Sequence, residues 1–316
     1  MTPSINVKVF GERNSGTNYV EAILRRQPEI RLLDGSASRY VGPLRSLVKR
    51  HLLGVQGDQP LDPDRLAPGR EGAGGMLAAW VLRHRHLPQD VLWSAYYRLT
   101  DAQNFGWKHR RVVGQTLQQH RLFRSTRFVC LVRNPYAWLV SMRRRPYGMR
   151  LIPGSDWQTF LSHSWQPCSY DTSPTQRYDS VIDLWNRKVH GCVSFCGSYD
   201  NAILLRYEDF LENHEAATKR LAEFLGTGKH EGIDRSDASN SWAPINHSTK
   251  AGDAKTFAQY QSEYRDSHWM RDIPDETLAS IQAALDQQLC RLLGYARENE
   301  SVDRCQRTIR ETLPRK

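Results

Sequence analysis

The chain has 316 residues, of which 39% are hydrophobic, and its formal net charge is +10 at pH 7. This length suits one large α/β domain or two small ones, and the apolar content is sufficient for a packed core. No unbroken apolar run reaches the roughly 18 residues of a membrane span, and no long Lys/Arg block or RNA-binding sheet signature is present. The charge therefore indicates a phosphorylated ligand or a generally basic surface, with neither nucleic acid nor a membrane expected as partner.

The first predicted elements are a strand at 5–10 and a helix at 17–26, joined by a polar turn. The turn reads Gly11-Glu12-Arg13-Asn14-Ser15-Gly16-Thr17. It presents several backbone N–H groups and a helix N-terminus at one point, which suits a phosphate. A Walker A loop has a lysine directly after its second glycine, whereas Thr17 stands here. The turn therefore predicts a phosphate site without magnesium–ATP chemistry.

The segment 38–100 interrupts the alternation of strand and helix signals. Within it, nine of the 22 residues at 54–75 are Gly or Pro. So long an irregular stretch in a compact domain is typical of a lid, a mobile segment or a surface insertion. We therefore predict an insertion or lid at 38–100, followed by a short strand at 104–108.

The next predicted elements are an apolar strand at 128–132 and a helix at 135–144. Asn134 as N-cap and Pro135 at the first helical position are typical of a helix start. Later elements are predicted as a helix at 178–196, a strand at 202–207 and a helix at 211–225. Apolar strands alternating with helices predict an α/β fold with a central parallel sheet and helices on both faces. Ligands of such sheets bind at the carboxyl ends of the strands.

Arg133 and Ser141 form a second candidate phosphate site. Arg133 ends the apolar strand and Ser141 lies two turns into the following helix, so both can face the carboxyl edge of the sheet. They offer a guanidinium fork and a hydroxyl group to an anion. An arginine at a strand end is by itself commonly a solvated charge. Arg133 and Ser141 therefore indicate a phosphate site only in combination with the glycine-bearing turn.

Together the two motifs resemble those of the sulfotransferases that use 3′-phosphoadenosine-5′-phosphosulfate (PAPS), over roughly residues 5–225. In that family a basic residue followed by Ser-Gly-Thr holds the 5′-phosphosulfate, and Arg-x-Pro-x(5)-Ser holds the 3′-phosphate. The resemblance implies one P-loop-like sulfotransferase domain over 1–316. It also implies metal-independent, in-line transfer of a sulfuryl group from PAPS to a hydroxyl or amine of a small-molecule acceptor.

The resemblance assigns cofactor-binding positions residue by residue. Tyr19 stands where cytosolic members have an aromatic residue stacked on adenine, and Tyr207 begins a Tyr-Glu-Asp segment whose tyrosine lies near the adenine. Lys250 belongs to a stretch similar to one that closes over the 3′-phosphate. The complete implied set is Arg13, Asn14, Ser15, Gly16, Thr17, Asn18, Tyr19, Arg133, Ser141, Tyr207 and Lys250.

One position departs from the family pattern. Many members have Lys or Arg directly before Ser-Gly-Thr, where it contacts the bridging oxygen of the leaving phosphate, but this chain has Asn14 there. The missing cation is then supplied by Arg13 or Lys108. Lys108-His109 is similar to the Lys-Thr-His of cytosolic members, which implies His109 as the general base and Lys108 as an electrostatic stabiliser. A basic surface turn is the alternative for this pair, and Glu12 is the alternative base.

Two other functions stay open at this point: a P-loop nucleotide kinase and a non-catalytic nucleotide- or polyanion-binding protein. The six cysteines include no CxxC pair, which favours reduced thiols over disulfides or a zinc site. The chain begins without a basic-then-apolar leader, so we expect a cytoplasmic location. The sequence leaves open whether the protein is a homodimer, and does not identify the acceptor or decide between O- and N-sulfation.

Overall fold

The structure is a computed structural model. It describes residues 5–33, 101–146, 154–165, 171, 177–227, 241–245, 247–248, 254–265 and 268–295. The predicted insertion at 38–100 and the candidate residue Lys250 lie outside these ranges.

Strands and helices alternate along much of the described chain. The strands are β1 (Ile5–Phe10), β2 (Ile30–Leu32), β3 (Thr126–Val132), β4 (Ala202–Arg206), β5 (His247–Ser248) and β6 (Ala254–Lys255). The first five helices are α1 (Thr17–Leu24), α2 (Gly114–Leu117), α3 (Pro135–Arg144), α4 (Trp157–Ser162) and α5 (Val181–Ser198). The others are α6 (Tyr207–Glu212), α7 (His214–Leu225), α8 (Phe257–Arg265), α9 (Asp275–Ala284) and α10 (Gln287–Leu292). Short 3-10 turns occur at Phe123–Ser125 and His268–Asp272.

The central sheet has four parallel strands in the order β2-β1-β3-β4. Its register pairs Phe10 with Cys130 and Val132 with Arg206, so the strands end close together. From β1 the chain forms β2 on one side and β3 on the other. A reversal of this kind opens a crevice between the carboxyl ends of β1 and β3, where ligands of parallel sheets bind.

Helices cover both faces of this sheet, as predicted. Alternate residues of each strand point to opposite faces. On one face, Val7, Val9, Val129 and Leu131 pack with apolar residues of α1, α6 and α7. On the other face, Phe10, Phe128, Cys130 and Val132 pack with apolar residues of α3 and α5. None of the helices in the described ranges combines the length and the apolarity that a bilayer crossing requires.

Most predicted elements are confirmed, with two differences. The predicted helix at 211–225 is two helices, because the chain breaks at Asn213, whose side chain caps α7. The prediction of a strand at 104–108 was wrong. Residues 101–104 are helical, and Phe105 and Gly106 have φ values of +59° and +70°. These left-handed conformations turn the chain back instead of extending it.

Candidate functional site

The β1–α1 loop, residues 11–16, is a tight turn at the crevice. Asn14 and Gly16 both adopt left-handed backbone conformations, with φ values of +62° and +84°. The N–H of Ser15 donates to the carbonyl of Glu12 at 3.1 Å, which closes the turn. Among residues other than glycine, asparagine adopts this conformation most readily. The loop geometry therefore gives a physical reason for Asn14 at the position where the sequence resemblance predicts a cation.

Both glycines of this loop are required by close packing. A Cβ atom on Gly11 would lie 2.5 Å from the carbonyl oxygen of Leu131 in β3. A Cβ atom on Gly16 would lie 2.2 Å from the ring of Tyr207. The Tyr207 side chain is 2% exposed, so this predicted cofactor residue forms a wall against which the loop rests.

The N-terminus of α1 lies at the crevice end of β1. Among the described residues no side chain caps it, and its first turn contains no acidic residue. Within the described part of the chain, the N–H groups of Thr17 and Asn18 have no backbone acceptor. Unpaired N–H groups at the positive end of a helix form a favourable anion site.

The segment after β3 holds the loop directly, so the two predicted phosphate motifs are in contact. Arg133 donates through Nη1 to the carbonyl of Asn14 at 2.7 Å. Trp138 of α3 donates through Nε1 to the carbonyl of Arg13 at 2.7 Å. The amide of Asn14 lies 3.2 Å from the sulfur of Met142. Trp138 was not identified from the sequence, although it stands between Arg133 and Ser141.

Arg133 is a buried cation between aromatic rings. Its guanidinium carbon lies 5.3 Å from the ring centre of Tyr207 and 5.4 Å from that of Tyr264. Its Nε is buried and has no hydrogen-bond partner among the described residues. A buried donor without a partner is uncommon in folded proteins and suits a site that an anion completes.

The other two predicted members of this region lie nearby. Ser141 is partly buried on α3, directly before Met142. The ring of Tyr19 is buried and stacks on Phe257, with the ring centres 6.1 Å apart and the planes 15° from parallel. The ring of Tyr207 packs edge-on against the ring of Tyr19. Stacking of Tyr19 on adenine therefore stays a prediction.

The predicted base, His109, is hydrogen-bonded to the loop. Its Nδ1 lies 2.6 Å from the carbonyl oxygen of Gly11, and the N–H of Gly11 donates to the carbonyl of Lys108 at 3.0 Å. A carbonyl can only accept, so Nδ1 carries the proton and Nε2 keeps its lone pair. Desolvation of the ring, together with the charges of Lys108 and Arg13, places the pKa of His109 well below its usual value. The imidazole is therefore neutral near pH 7.

The two predicted cations have different surroundings. The Lys108 ammonium is buried 2.7 Å from Oε2 of Glu21 and 2.6 Å from Oδ1 of Asn18. Its charge is therefore balanced by Glu21, and it orients the predicted cofactor residue Asn18. The partly buried Arg13 guanidinium lies over the ring of Trp107, with its central carbon 4.7 Å from the ring centre.

A buried lysine of α5, Lys188, was not identified from the sequence. Its ammonium lies 2.5 Å from Glu12 and 2.7 Å from Asp171, so Glu12, the alternative base, is already paired. One signal pointed to Lys188. It lies on the apolar stripe of the helix formed by Trp185, Val189 and Cys192, where a charged residue requires a buried partner.

The known proteins that this chain resembles are sulfotransferases. A profile described as "Sulfotransferase family" matches residues 7–231. A crystal structure of mouse sulfotransferase SULT7A1 complexed with PAP matches with a TM-score of 0.43 and 15% identity, covering 98% of this chain and 89% of that one. No curated protein sequence matches significantly. The profile spans well over half of the 316 residues and includes both phosphate motifs and His109. The chain therefore belongs to the sulfotransferase family.

Proposed function

We propose that this protein transfers a sulfuryl group from PAPS to a hydroxyl or amine of a small-molecule acceptor in the cytoplasm. The observation that carries the proposal is the direct contact between two anion-binding features at one sheet edge. One is the open N-terminus of α1, and the other is the buried, incompletely paired guanidinium of Arg133, bound to the loop at Asn14. Two such features suit a nucleotide with phosphates at both the 3′ and the 5′ positions of its ribose.

The residues present fit PAPS. The N–H groups of Thr17 and Asn18, with Ser15 and Gly16, would hold the 5′-phosphate, because they are aligned at the positive end of α1. Arg133 and Ser141 would hold the 3′-phosphate. When bound, PAPS supplies the sulfuryl group and a phosphate that departs with the bridging oxygen. No metal is part of the proposal.

His109 accepts the proton that the acceptor loses as its oxygen or nitrogen forms a bond to sulfur. The hydrogen bond from Nδ1 to Gly11 fixes the tautomer in which Nε2 is the accepting atom. The depressed pKa of His109 keeps this atom unprotonated at neutral pH. A positioned base of this type contributes about 10²–10⁴-fold to a rate.

Arg13 is the better of the two candidates for the missing cation at the leaving group. Lys108 is 5% exposed and paired with Glu21, so its field at the loop is partly cancelled. Arg13 lies on the loop itself, and its carbonyl is fixed by Trp138. Lys108 then acts mainly by orienting Asn18 at the start of α1.

Ligand-dependent thermal unfolding tests the donor site. We expect adenosine 3′,5′-bisphosphate (PAP) to raise the Tm without magnesium, and adenosine 5′-monophosphate, which lacks the 3′-phosphate, to raise it less. A Tm that responds only to magnesium–ATP would instead support a nucleotide kinase. Transfer of label from PAPS to a panel of hydroxyl- and amine-bearing metabolites then separates an enzyme from a non-catalytic binder.

His109→Gln tests the base. We expect turnover to fall by about 10²–10⁴-fold, with a nearly unchanged dissociation constant for PAP, because the hydrogen bond of the side chain to the loop, within the described residues, is the one to the Gly11 carbonyl. His190→Gln, at an exposed position of α5, is the matched control. Near-normal turnover in the His109 variant would assign the base to another residue.

A further inference from the structure

Lys188 is the centre of a buried polar network beside the candidate base. Its ammonium nitrogen lies 2.5 Å from Oε2 of Glu12 and 2.7 Å from Oδ2 of Asp171. It also donates to the carbonyl of His109 at 2.7 Å. The three charged side chains are each at most 6% exposed. The ammonium thus has two carboxylate partners as ion pairs and one carbonyl acceptor, and this compensation lets a lysine remain charged when buried.

This network holds the backbone on both sides of the base. Lys188 binds the carbonyl of His109, while Oδ1 of Asp171 accepts from the N–H of Arg111 at 2.9 Å. The ion pair between Lys188 and Asp171 therefore fixes the segment 109–111 at two points. Asp171 is far from this segment in sequence, so the contact depends on tertiary packing.

The same ammonium also fixes the β1–α1 loop. Its partner Glu12 accepts, through Oε1, from the N–H of Arg13 at 2.7 Å. Glu12 and Lys188 line one small cavity together with Gly11 and Ser15. One buried charge therefore connects the loop proposed to bind the 5′-phosphate with the segment that carries the proposed base.

We propose that Lys188 is a positioning residue for sulfuryl transfer, fixing His109 relative to the β1–α1 loop. This inference rests on the proposed function and adds a residue from α5, outside both phosphate motifs. In-line transfer requires the base, the acceptor and the bound donor to be aligned, and misplacement by about 1 Å costs on the order of 100-fold in rate. The three contacts of Lys188 set this alignment from the protein side.

The charges near the His109 ring affect its pKa, and this pKa is the quantity that the test measures. Positive charges come from Lys108, Arg13 and Lys188, and all three lower the pKa of His109. The carbonyl of Gly11 acts in the opposite direction through its hydrogen bond. Removing Lys188 takes away one positive charge and one fixed point of the backbone.

The experiment is an NMR titration of the His109 imidazole in the full-length protein, with its signal assigned by comparison with His109→Gln. In Lys188→Gln we expect the ring to titrate at higher pH than in the wild type, and the Nδ1–H tautomer to be less dominant. We expect a roughly 10- to 100-fold loss of turnover, with a smaller loss of PAP affinity because the partner carboxylate of Glu12 also holds the β1–α1 loop. Lys188→Arg keeps the charge and should restore part of the His109 titration and part of the turnover. Lys219→Gln, on the exposed surface of α7, is the control.

If Lys188→Gln does not fold, the pair Lys188→Met with Glu12→Gln removes one buried charge of each sign and is used instead. A His109 titration and turnover equal to those of the wild type, with only the Tm lowered, would overturn the proposal and leave Lys188 a purely structural residue. The titration needs no substrate. Failure of the proposed function, seen as no PAP binding by the wild type, is therefore distinguishable from failure of this inference.

Discussion

Arg133 has two roles that the sequence alone could not separate. It donates to the backbone of the β1–α1 loop at Asn14, and its Nε is buried without a partner in the described part of the chain. The first role stabilises the loop in the absence of ligand. The second is the buried donor that the proposed 3′-phosphate would complete, which makes Arg133 the most informative single residue for a mutation.

We expect Arg133→Ala to weaken PAP binding by about 1.5–3 kcal/mol, or roughly 10- to 150-fold, because a charge-assisted hydrogen bond is lost. Isothermal titration calorimetry with PAP measures this change. Arg124→Ala is the control, since Arg124 is exposed and lies before β3, away from the sheet's carboxyl edge. Equal PAP affinity in the Arg133 variant and the wild type would remove Arg133 from the proposed 3′-phosphate site.

The β1–α1 turn depends on glycine for two separable reasons. Gly16 has a φ of +84° and also packs against the ring of Tyr207. Gly226, which ends α7, has a similar φ of +73°, but a Cβ atom there would meet nothing within 4 Å. The two glycines therefore form a matched pair that distinguishes backbone strain from steric overlap.

We expect Gly226→Ala to lower the free energy of unfolding by about 1–2 kcal/mol through left-handed strain alone. Gly16→Ala should lower it by a further 1–3 kcal/mol or so, because the Tyr207 ring must move, and should also weaken PAP binding. Urea unfolding and calorimetry measure the two effects. An equal loss of stability in both variants, with PAP affinity kept, would show that Tyr207 does not constrain the loop.

Elements were predicted well where the sequence signals that define them lie within a few adjacent residues. Asn134 and Pro135 define the start of α3, and this prediction agrees with the observed cap, in which Oδ1 of Asn134 accepts from the N–H groups of Tyr136 and Ala137. The segment 104–108 was misread as a strand because its apolar residues share strand composition. Its path is set instead by two successive left-handed residues and by the ammonium of Lys8, which binds the carbonyl of Gly106 at 2.6 Å.

The sequence did not predict which charged residues of the site pair with each other. The motifs predicted the loop, Arg133 and His109 as site residues, because each occurs within a short, recognisable run. The pairings of Lys108 with Glu21 and of Lys188 with Glu12 join residues about 90 or more positions apart. Such pairs depend on how helices pack on the sheet, which hydrophobic periodicity indicates only in outline.

One buried carboxylate, Glu208, connects distant parts of the molecule around Arg133. It accepts from the backbone N–H of Asn134 at 2.9 Å and from the hydroxyl of Tyr295 at 2.8 Å, and the hydroxyl of Tyr264 donates to it as well. The start of α3, the end of α8 and Tyr295, three residues beyond α10, thus meet at one point. Because Tyr264 also packs on Arg133, the C-terminal helices contribute to the proposed 3′-phosphate site.

The partly buried imidazole of His109 makes the stability of the whole molecule depend on pH in a defined direction. The pKa of His109 is lowered in the folded state by desolvation and neighbouring cations, whereas in the unfolded chain it is about 6.5. Below about pH 6.5 the unfolded chain therefore binds a proton that the folded protein does not. This difference lowers the free energy of unfolding as the pH falls, and contributes nothing above about pH 7.5.

We expect His109→Gln to remove this dependence. The stability of the variant relative to the wild type should be constant from about pH 7.5 upward. It should increase as the pH is lowered from 6.5 toward 5, by at most about 1.4 kcal/mol per pH unit. Urea unfolding between pH 5 and 9 measures the difference, with His190→Gln showing the effect of losing an exposed imidazole. Parallel curves for His109→Gln and the wild type would mean that His109 takes up its proton equally well in the folded protein, and that it is not held neutral as the proposed mechanism requires.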